Sequence, residues 1–536
     1  MNVIISRLTT YKTYILLLAL LAGLWLAGCK KDNQTFDNPY AGGKSPLGVQ
    51  LSTDPPTPAE GAPGTVVTFK ATGLARYKDS LTFTFNGEKA ELVAVDTAGI
   101  KVKIPATGST GVTSVTIGDQ IYFGPVFKVK GNLDLDPNYK VAIGANNAVM
   151  DAYQYSDGRM LLLGGFWDFE RKGVVKPLNR IVLTSKDGEV DRTLLSGKGA
   201  DGSLTTAAAL PSGKLVIVGG FSSYDTHTGQ IRNITTLNTN GSLDTTVVNT
   251  YTKKDTVPAF NGGTDGGIYR VFVNNNRITA IGSFNYYLSY DYSKGDFLHQ
   301  RDSLVTDSVM IRQLIRFYPD GTLDSTFNYD LARHRSFDGP NGPVSDAYMQ
   351  PDGKLVIAGR FTKYNGQPAP YIARINTDGS LDAGFGGTGA DNDIRAIRFN
   401  AVTQRFMVAG TFTKFNGATA NGLVMLKADG TIDQQFTAAP IANGNYYDMA
   451  HQLNNGLIIA SGYFRSYMGV HRGGLMVLNP NGTLAAGYNN TGDFNGYVAK
   501  VVETTSATGQ TQALVMGFFT RFNEKDAGYI FRLLFK

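Results

Sequence analysis

A short motif, a hydrophobic strand that ends in Gly-x-Phe or a close variant, recurs seven times over most of the chain. Its phenylalanines are Phe166, Phe221, Phe284, Phe361, Phe412, Phe464 and Phe519. The turn before the strand carries a basic residue, seven positions ahead of the phenylalanine, in five copies: Arg159, Lys214, Arg277, Lys354 and Arg405. Self-similarity at a period of roughly 50 residues indicates a solenoid, a propeller or another repeat array.

A second motif, Asp/Asn-Gly-x-Leu-Asp or close to it, follows each of the first six strand motifs. Asp-Gly and Asn-Gly are hairpin turn signals, and the copies begin at Asp187, Asn240, Asp320, Asp378, Asp429 and Asn481. The seventh strand motif has no copy after it. The missing copy is predicted at Gly131-Asn132-Leu133-Asp134, ahead of the first strand motif.

This phase shift between the two motifs distinguishes a closed ring from a linear array. A ring of sheets has two chain ends to join, and completing the last sheet with the first segment removes the exposed edges. A linear solenoid has no reason to be permuted in this way. The sequence therefore predicts an all-β fold with a seven-bladed β-propeller at residues 131–536, closed by an N-terminal strand.

One pair of segments also resembles a known repeat. Residues 350–359 and 373–382, with Asp352-Gly353-Lys354 in the first and Asp378-Gly379-Ser380-Leu381-Asp382 in the second, are similar to the delta-sixty type propeller repeat. Together with the TIG-like order of elements in residues 46–130 and the lipobox-like Leu26-Ala27-Gly28-Cys29, this repeat resembles a Bacteroidota lipoprotein family described by domains of unknown function, which implies a fold and a location. It implies no activity.

Residues 46–130 show only strand and turn signals. Residues 65–70, 81–85 and 100–104 alternate in polarity, and Asn86-Gly87 is a type I′ hairpin signal. The order of these elements resembles the TIG/IPT immunoglobulin-like domain. The resemblance implies a small β-domain that serves as a spacer or a binding module, and we favour the spacer.

The N-terminus has the pattern of a bacterial lipoprotein signal peptide. Arg7 and Lys12 precede an uncharged apolar stretch at residues 14–25, which is too short for a membrane-spanning helix of about 20 residues. Leu26-Ala27-Gly28-Cys29 follows and resembles the lipobox, and Cys29 is the only cysteine. The sequence predicts a signal peptide at residues 1–28 and lipidation of Cys29.

A flexible tether is predicted at residues 29–45, which are polar and rich in Gly and Pro. Lys30, and not Asp, follows Cys29. In the enterobacterial sorting rule this favours the outer membrane, on either its periplasmic or its surface-exposed face. The membrane is therefore an expected partner, through the lipid anchor.

Motifs for catalysis and metal binding are not found in the sequence. The five histidines lack metal-site spacing, and no Gly-x-Ser-x-Gly elbow occurs. A net charge of +6 over 536 residues, without a concentrated basic patch, makes nucleic acid an unexpected partner. We expect no cofactor, no metal and no enzyme activity, and we assign the repeated aspartates to turns.

The repeat is longest after Phe284, where the added stretch contains Tyr286, Tyr287, Tyr290 and Tyr292. Insertions in repeat folds lie in loops on one face, which is often the binding face. Exposed tyrosines stack on sugar rings or anchor peptides, so these four are candidate ligand contacts. The alternative is that they pack under their own loop.

Trp167 is a second candidate platform for a ligand. It directly follows Phe166, so its side chain should face away from that core residue. Burial between blades is the alternative.

These observations favour a non-catalytic binding or scaffold lipoprotein of the outer membrane, linked to glycan or peptide capture. Expected partners are a polysaccharide and a TonB-dependent transporter complex. Two alternatives stay open. One is a propeller-type glycoside hydrolase or lyase whose acids converge from different blades, and the other is a structural envelope protein with a protein partner.

The anchor gives a first prediction. Cys29→Ser should abolish lipidation and release the protein from membranes, because the thiol is the only acceptor for the lipid. Fractionation and palmitate labelling of cells that express each form measure the effect. A Cys29→Ser protein that still sediments with membranes and takes up label would contradict the lipobox assignment.

Overall fold

The computed structural model describes residues 46–442 and 444–536. Apart from a 3-10 helix at Ala75–Tyr77, every regular element in these ranges is a β-strand, which confirms the predicted all-β fold. The same residues contain no helix with the length and apolar character needed to cross a membrane. The predicted signal peptide, Cys29 and the tether lie outside the described residues.

Two facing sheets form the first domain. In spatial order, one contains Gln50–Leu51, Val66–Thr72, Gly99–Lys103 and Glu91–Val95, and the other contains Glu60–Gly61, Gln120–Val129, Gly111–Ile117, Leu81–Phe85 and Glu88–Lys89. The alternating strands direct Phe69, Phe83, Phe85 and Phe127 into a common core. Asn86 and Gly87 both have positive φ, at 45° and 80°, which confirms the predicted type I′ turn.

Seven further sheets, which we call blades 1 to 7, follow along the chain. The strands of blades 1 to 3 are Val149–Gln154, Met160–Gly164, Ile181–Thr184 and Val190–Asp191; Ser203–Ala209, Leu215–Gly220 and Ile234–Leu237; Ile268–Asn274, Arg277–Gly282 and Leu314–Phe317. Those of blades 4 to 6 are Val344–Met349, Leu355–Gly359 and Ile372–Ile375; Ile394–Asn400, Arg405–Gly410 and Leu423–Lys427; Tyr446–Gln452, Ile458–Tyr463 and Leu475–Leu478. Blade 7 contains Tyr497–Thr505, Thr511–Phe518, Ile530–Phe535 and, from the other end, Leu133–Leu135.

Shorter strands form hairpins between and beyond the blades. They are Thr245–Asn249 with Lys254–Pro258, Gly263–Thr264 with Tyr286–Asp291 and Val305–Met310, Gly295–Asp296 with Arg301–Asp302, Tyr329–Asp330 with Arg335–Ser336, Lys363–Tyr364 with Gln367–Pro368, Lys414–Phe415 with Ala418–Thr419, Ser466–Tyr467 with Val470–His471, and Arg521–Phe522 with Lys525–Asp526.

The blades form a ring. The first strand of each blade contacts the first strand of the next, and that of blade 7 contacts that of blade 1. Second strands such as Met160–Gly164 are buried along their whole length, because a neighbouring blade covers each face. This explains why they read as continuous apolar runs and not as alternating ones.

Blade 7 is closed by residues from the N-terminal side of the propeller. Leu133 pairs with Phe535, and Leu135 pairs with Leu533, in the sheet that also holds Thr511–Phe518. The predicted closing strand is therefore confirmed, and Leu133 is fully buried.

The predicted register of the closing copy, with Leu133-Asp134 as the motif's Leu-Asp, is wrong by two residues. The motif aspartate is Asp136: it accepts the side-chain amide of Gln512, seven positions before Phe519, as Asp382 accepts Lys354 in blade 4. Two Leu-Asp pairs follow each other at residues 133–136. A shift of two keeps every side chain on its face, so the sequence pattern did not distinguish them.

The first domain is docked on the propeller and is not a detached spacer, and both lie in one unit, Gln50–Lys536. The backbone N–H and the hydroxyl of Thr110 both donate to the Asn490 carbonyl, at 3.0 and 2.8 Å. Arg472 is buried and donates to the Thr107 carbonyl. Buried, paired polar groups of this kind fix an interface, because separating the domains would leave Arg472 without its carbonyl partner.

Closure generates the second prediction. Leu133→Ala should lower the free energy of unfolding by about 2–5 kcal/mol, since it leaves a cavity in a buried site. Leu331→Ala, at a residue that is 69% exposed, is the control and should change it by less than about 0.5 kcal/mol. Urea denaturation measures both, and equal midpoints for the two variants would show that the closing strand does not stabilise the ring.

Candidate functional site

The two motifs of the repeat meet in an ion pair. In blades 1 to 5 the basic residue that precedes the second strand binds the last aspartate of the turn motif. The N–O distances are 3.1 Å for Arg159–Asp191, 2.7 Å for Lys214–Asp244, 3.1 Å for Arg277–Asp324, 2.8 Å for Lys354–Asp382 and 2.6 Å for Arg405–Asp433. Blade 6 has Leu457 and Ala485 in the two positions. These aspartates therefore stabilise the blades.

The first aspartates of the turn motif have the predicted turn role. Asp378 accepts the backbone N–H of Ser380 at 2.9 Å, and Asp429 accepts that of Thr431 at 2.9 Å. The glycine between has a positive φ, +88° at Gly379, where a Cβ would also lie 2.3 Å from the Asn328 nitrogen. Only glycine fits this turn.

Tyr287 is a structural residue, which corrects its assignment as a ligand contact. It lies three positions after the motif phenylalanine and is 7% exposed. Tyrosines at this position donate their hydroxyl to the carbonyl of the turn glycine in the same blade: Tyr224 to Gly241, Tyr287 to Gly321, Tyr364 to Gly379 and Tyr467 to Gly482. The repeat of an aromatic residue at this position is visible in the sequence and could have shown it.

The remaining tyrosines of the insertion differ in exposure, and Tyr290 packs against the loop of blade 2 that contains Gly229 and Arg232. Tyr290 is buried, donates to the Gly229 carbonyl at 2.9 Å and has the Arg232 guanidinium 5.4 Å from its ring centroid. Tyr292 packs against Tyr290 with ring centroids 5.8 Å apart, and burial raises its pKa to about 12. Tyr290 is therefore not a surface platform, whereas Tyr286 is 39% exposed.

Trp167 points away from the core, as predicted. Phe166 is fully buried and Trp167 is 54% exposed, with the Arg180 guanidinium 5.9 Å from its ring centroid. It belongs to blade 1 and the tyrosine insertion to blade 3, with blade 2 between them in the ring. Ligand binding by Trp167, Tyr286 and Tyr292 stays a prediction.

The middle residue of the Gly-x-Phe motif, which directly precedes the motif phenylalanine, is aromatic only in blades 6 and 7. In blades 1 to 5 it is Gly165, Gly220, Ser283, Arg360 and Thr411. Tyr463 and Phe518 occupy it in blades 6 and 7, where they are 62% and 58% exposed. The sequence reasoning missed this pair, although the departure from the repeat was present in the motif.

Tyr463 and Phe518 line a groove of about 390 Å³ between blades 6 and 7, which we call the aromatic groove. Two further partly exposed rings are Tyr446 and Tyr497, the first residues of their inner strands, and the buried Phe464 and Phe494 lie beneath. Tyr446 pairs across the sheet with Tyr463, and Tyr497 with Phe518. The rings of Tyr446 and Tyr463 are nearly parallel, with centroids 5.9 Å apart and an interplanar angle of 27°.

Arg395 and Asp448 supply charge to the aromatic groove. The Arg395 guanidinium lies 4.0 Å from the Tyr446 ring centroid, and its Nη1 donates to Asp448 at 2.9 Å. Both residues sit at an irregularity in the register of their inner strands, where a bulge re-aims a side chain. Burial raises the pKa of Asp448, although the charge of Arg395 opposes that rise.

The groove thus combines ring faces with a few polar side chains, the Arg395–Asp448 pair, Arg465 and Asn495. Convergent aromatic surface with a few placed polar groups is typical of small-molecule sites. Asp448 is the one carboxylate among the residues that line the groove. Within residues 46–442 and 444–536, no group of three or more His, Cys, Asp or Glu side chains could hold a metal ion.

Three segments of the ring match a family model. Residues 210–246, 350–385 and 407–436 are similar to the family described as a domain of unknown function (DUF5122) beta-propeller. The match agrees with the propeller fold of these segments. Residues 26–125 match a second domain of unknown function, DUF5008, which includes most of the docked first domain. The TIG/IPT and lipoprotein assignments stay predictions.

Solved structures similar to this chain include an auxiliary nutrient binding protein from Bacteroides thetaiotaomicron VPI-5482, with 12% identity, a TM-score of 0.29, and coverage of 91% of this chain and 97% of that one. The extracellular domain of a putative hybrid two component system from B. thetaiotaomicron shows 12% identity and a TM-score of 0.34, over 73% of this chain and 40% of that one. A β-propeller domain from Myceliophteria thermophila shows 9% identity and a TM-score of 0.39, over 75% and 99%. No curated protein matches the chain.

The blade ion pairs generate the third prediction. Although burial alone raises it, hydrogen bonds from Lys354, the Gly384 N–H and Arg374 lower the pKa of Asp382 from 3.8 to about 2. A carboxylate with a lowered pKa stabilises the fold above pH 3.8 and loses that effect as the pH falls towards 2.

Asp382→Asn should therefore lower the free energy of unfolding at pH 7 by about 1–3 kcal/mol, and the difference from wild type should shrink below pH 4. Urea melts from pH 7 to pH 3 measure it. Asp79→Asn, at an exposed residue, is the control. A difference that is constant over this range would show that the carboxylate charge is not what stabilises the blade.

Proposed function

We propose that the protein is a non-catalytic glycan-binding lipoprotein of the outer membrane, with the aromatic groove as its saccharide site. The lipid on Cys29 holds the chain at the membrane, and the propeller presents the groove to polysaccharide. Captured glycan then passes to a TonB-dependent transporter complex.

The four rings around one groove carry this proposal. The C–H faces of a pyranose are apolar and stack on aromatic rings, while its hydroxyls bond to polar groups at the edge. Tyr463 and Phe518 keep more than half of their surface exposed, and clustered exposed apolar surface is typical of an interaction site. Arg395 and Asp448 supply the donor and the acceptor for the hydroxyls.

The number of carboxylates in the groove favours binding of a glycan over its hydrolysis. Glycosidases use two carboxyl groups, about 5–5.5 Å apart when retaining and about 6.5–9.5 Å apart when inverting. Asp448 is the one acid that lines the aromatic groove, and its carboxylate bonds to Arg395. A lone, paired carboxylate suits recognition of a hydroxyl better than general acid catalysis.

Groove variants provide the fourth prediction. Titration calorimetry with a panel of soluble polysaccharides should find a glycan that binds, and Tyr463→Ala and Phe518→Ala should each weaken it at least about tenfold, or about 1.4 kcal/mol. Phe123→Ala removes an aromatic ring that is 72% exposed on the first domain. This control should bind like wild type.

Three results would contradict the proposal. Release of shorter oligosaccharides from the bound glycan would identify an enzyme. Loss of binding in Trp167→Ala or Tyr286→Ala, with the groove variants unaffected, would place the site elsewhere. Binding to no member of the panel would favour a structural protein with a protein partner.

A further inference from the structure

A second cavity, separate from the aromatic groove, lies on the axis of the ring. Its volume is about 630 Å³, and the inner strands of all seven blades contribute to its lining. We call it the axial cavity. Its size exceeds that of a single small ion, so it has room for a small organic molecule.

The axial cavity carries more positive than negative charge. Arg270, Arg398 and Lys500 line it together with a single carboxylate, Asp151. A second carboxylate, Asp346, lies beside the lining and is buried. Three cations therefore face two carboxylates, which leaves one positive charge without a carboxylate of its own.

Each of the three cations is paired with one of the two carboxylates. Asp346 accepts Arg270 Nε at 2.8 Å, the Ile397 N–H at 3.0 Å and Arg398 Nη1. Asp151 pairs with Lys500 Nζ at 3.1 Å and accepts the Thr206 hydroxyl. The excess positive charge thus lies on the side of the cavity where Arg270 and Arg398 share the carboxylate of Asp346.

Two buried nitrogen atoms on that side form no hydrogen bond with any described residue: Arg398 Nε and His451 Nδ1. A buried polar group without a partner costs about 1–3 kcal/mol, so native structures almost always satisfy it. Burial, with the charges of Arg398 and Lys500, lowers the pKa of His451 to about 3. The neutral ring still donates from one nitrogen.

We propose that the axial cavity binds a small oxyanion between Arg398, His451 and Lys500. A carboxylate, phosphate or sulfate group would accept from the guanidinium of Arg398, the imidazole of His451 and the ammonium of Lys500, and would balance the extra positive charge. Charge-assisted hydrogen bonds of this kind are about twice as strong as neutral ones. The shared chemistry is the oxyanion, and a free ion and the acidic group of a sugar are its two sources.

Titration calorimetry of the purified protein at constant ionic strength tests this. The probes are sodium sulfate, sodium phosphate and sodium glucuronate, each against a sodium chloride background. We expect saturable binding of at least one probe with one site per chain. Tighter binding of glucuronate would indicate an acidic sugar, and tighter binding of sulfate or phosphate would indicate a free ion.

His451→Leu removes the imidazole donor, and Nδ1 makes no hydrogen bond within the described residues that would be lost with it. The affinity for the probe that binds should fall at least about tenfold. His451→Gln keeps an amide donor and should retain part of the affinity. His227→Leu is the matched control, because its Nδ1 is also buried and unbonded among the described residues but lies outside the axial cavity.

Absence of binding for all three probes would overturn the proposal. So would equal affinities for wild type and His451→Leu, or equal losses in His451→Leu and His227→Leu. Unchanged affinity for the probe in Tyr463→Ala would show that the oxyanion site is independent of the aromatic groove.

Discussion

The pairing of Leu133–Leu135 with Ile530–Phe535 is the interaction on which the ring depends. Each blade is buried on both faces only if the next blade is present, so one open end would expose apolar surface on two blades as well as an unpaired strand edge. Asn490 connects closure to the first domain. Its side chain bonds both backbone groups of Leu133, and its carbonyl accepts two bonds from Thr110. One residue therefore contacts both the closing strand and the docked domain.

Within the ring, a few side-chain contacts repeat from blade to blade, and the residues at other positions differ between blades. The basic residue and the aspartate join the second strand to the outer turn, and the tyrosine hydroxyl joins the loop to the same turn. Blade 6 replaces the ion pair with Leu457 and the buried Ala485, an apolar exchange that is often close to neutral in stability. It is also one of the two blades that place an aromatic residue at the exposed position.

The fold could be predicted because its signals are local. A turn that needs glycine, a strand covered on both faces and a basic residue at a fixed distance each leave a mark on a short segment. The predicted register of the closing strand was wrong because Leu133-Asp134 and Leu135-Asp136 have the same side chains and are two residues apart, which is the repeat of a β-strand. The prediction that Tyr287 contacts a ligand was wrong for a related reason. It was grouped with the insertion that follows it, although its position relative to Phe284 belongs to the repeat.

The groove could not be predicted in the same way, since its parts come from three blades. Arg395, Asp448 and Tyr497 are far apart in sequence and meet only because the ring closes. The direction of the Arg395 and Asp448 side chains also depends on irregularities in the inner strands, and no local sequence pattern predicted these irregularities. What the sequence did contain was the exchange of small or polar residues for Tyr463 and Phe518 at one repeated position.

The inner strands show where a closed ring is free to vary. Each of the seven has a register irregularity at the same place, and the residues that follow it are Asp151, Thr206, Arg270, Asp346, Ala396, Met449 and Lys500. Equivalent backbone positions thus hold acids, bases, a hydroxyl and apolar groups. Alanine and methionine occupy two of them, so the fold does not require a charge there. Placing charges around the axis costs desolvation, and the pairing of Asp346 with Arg270 and Arg398 and of Asp151 with Lys500 offsets that cost.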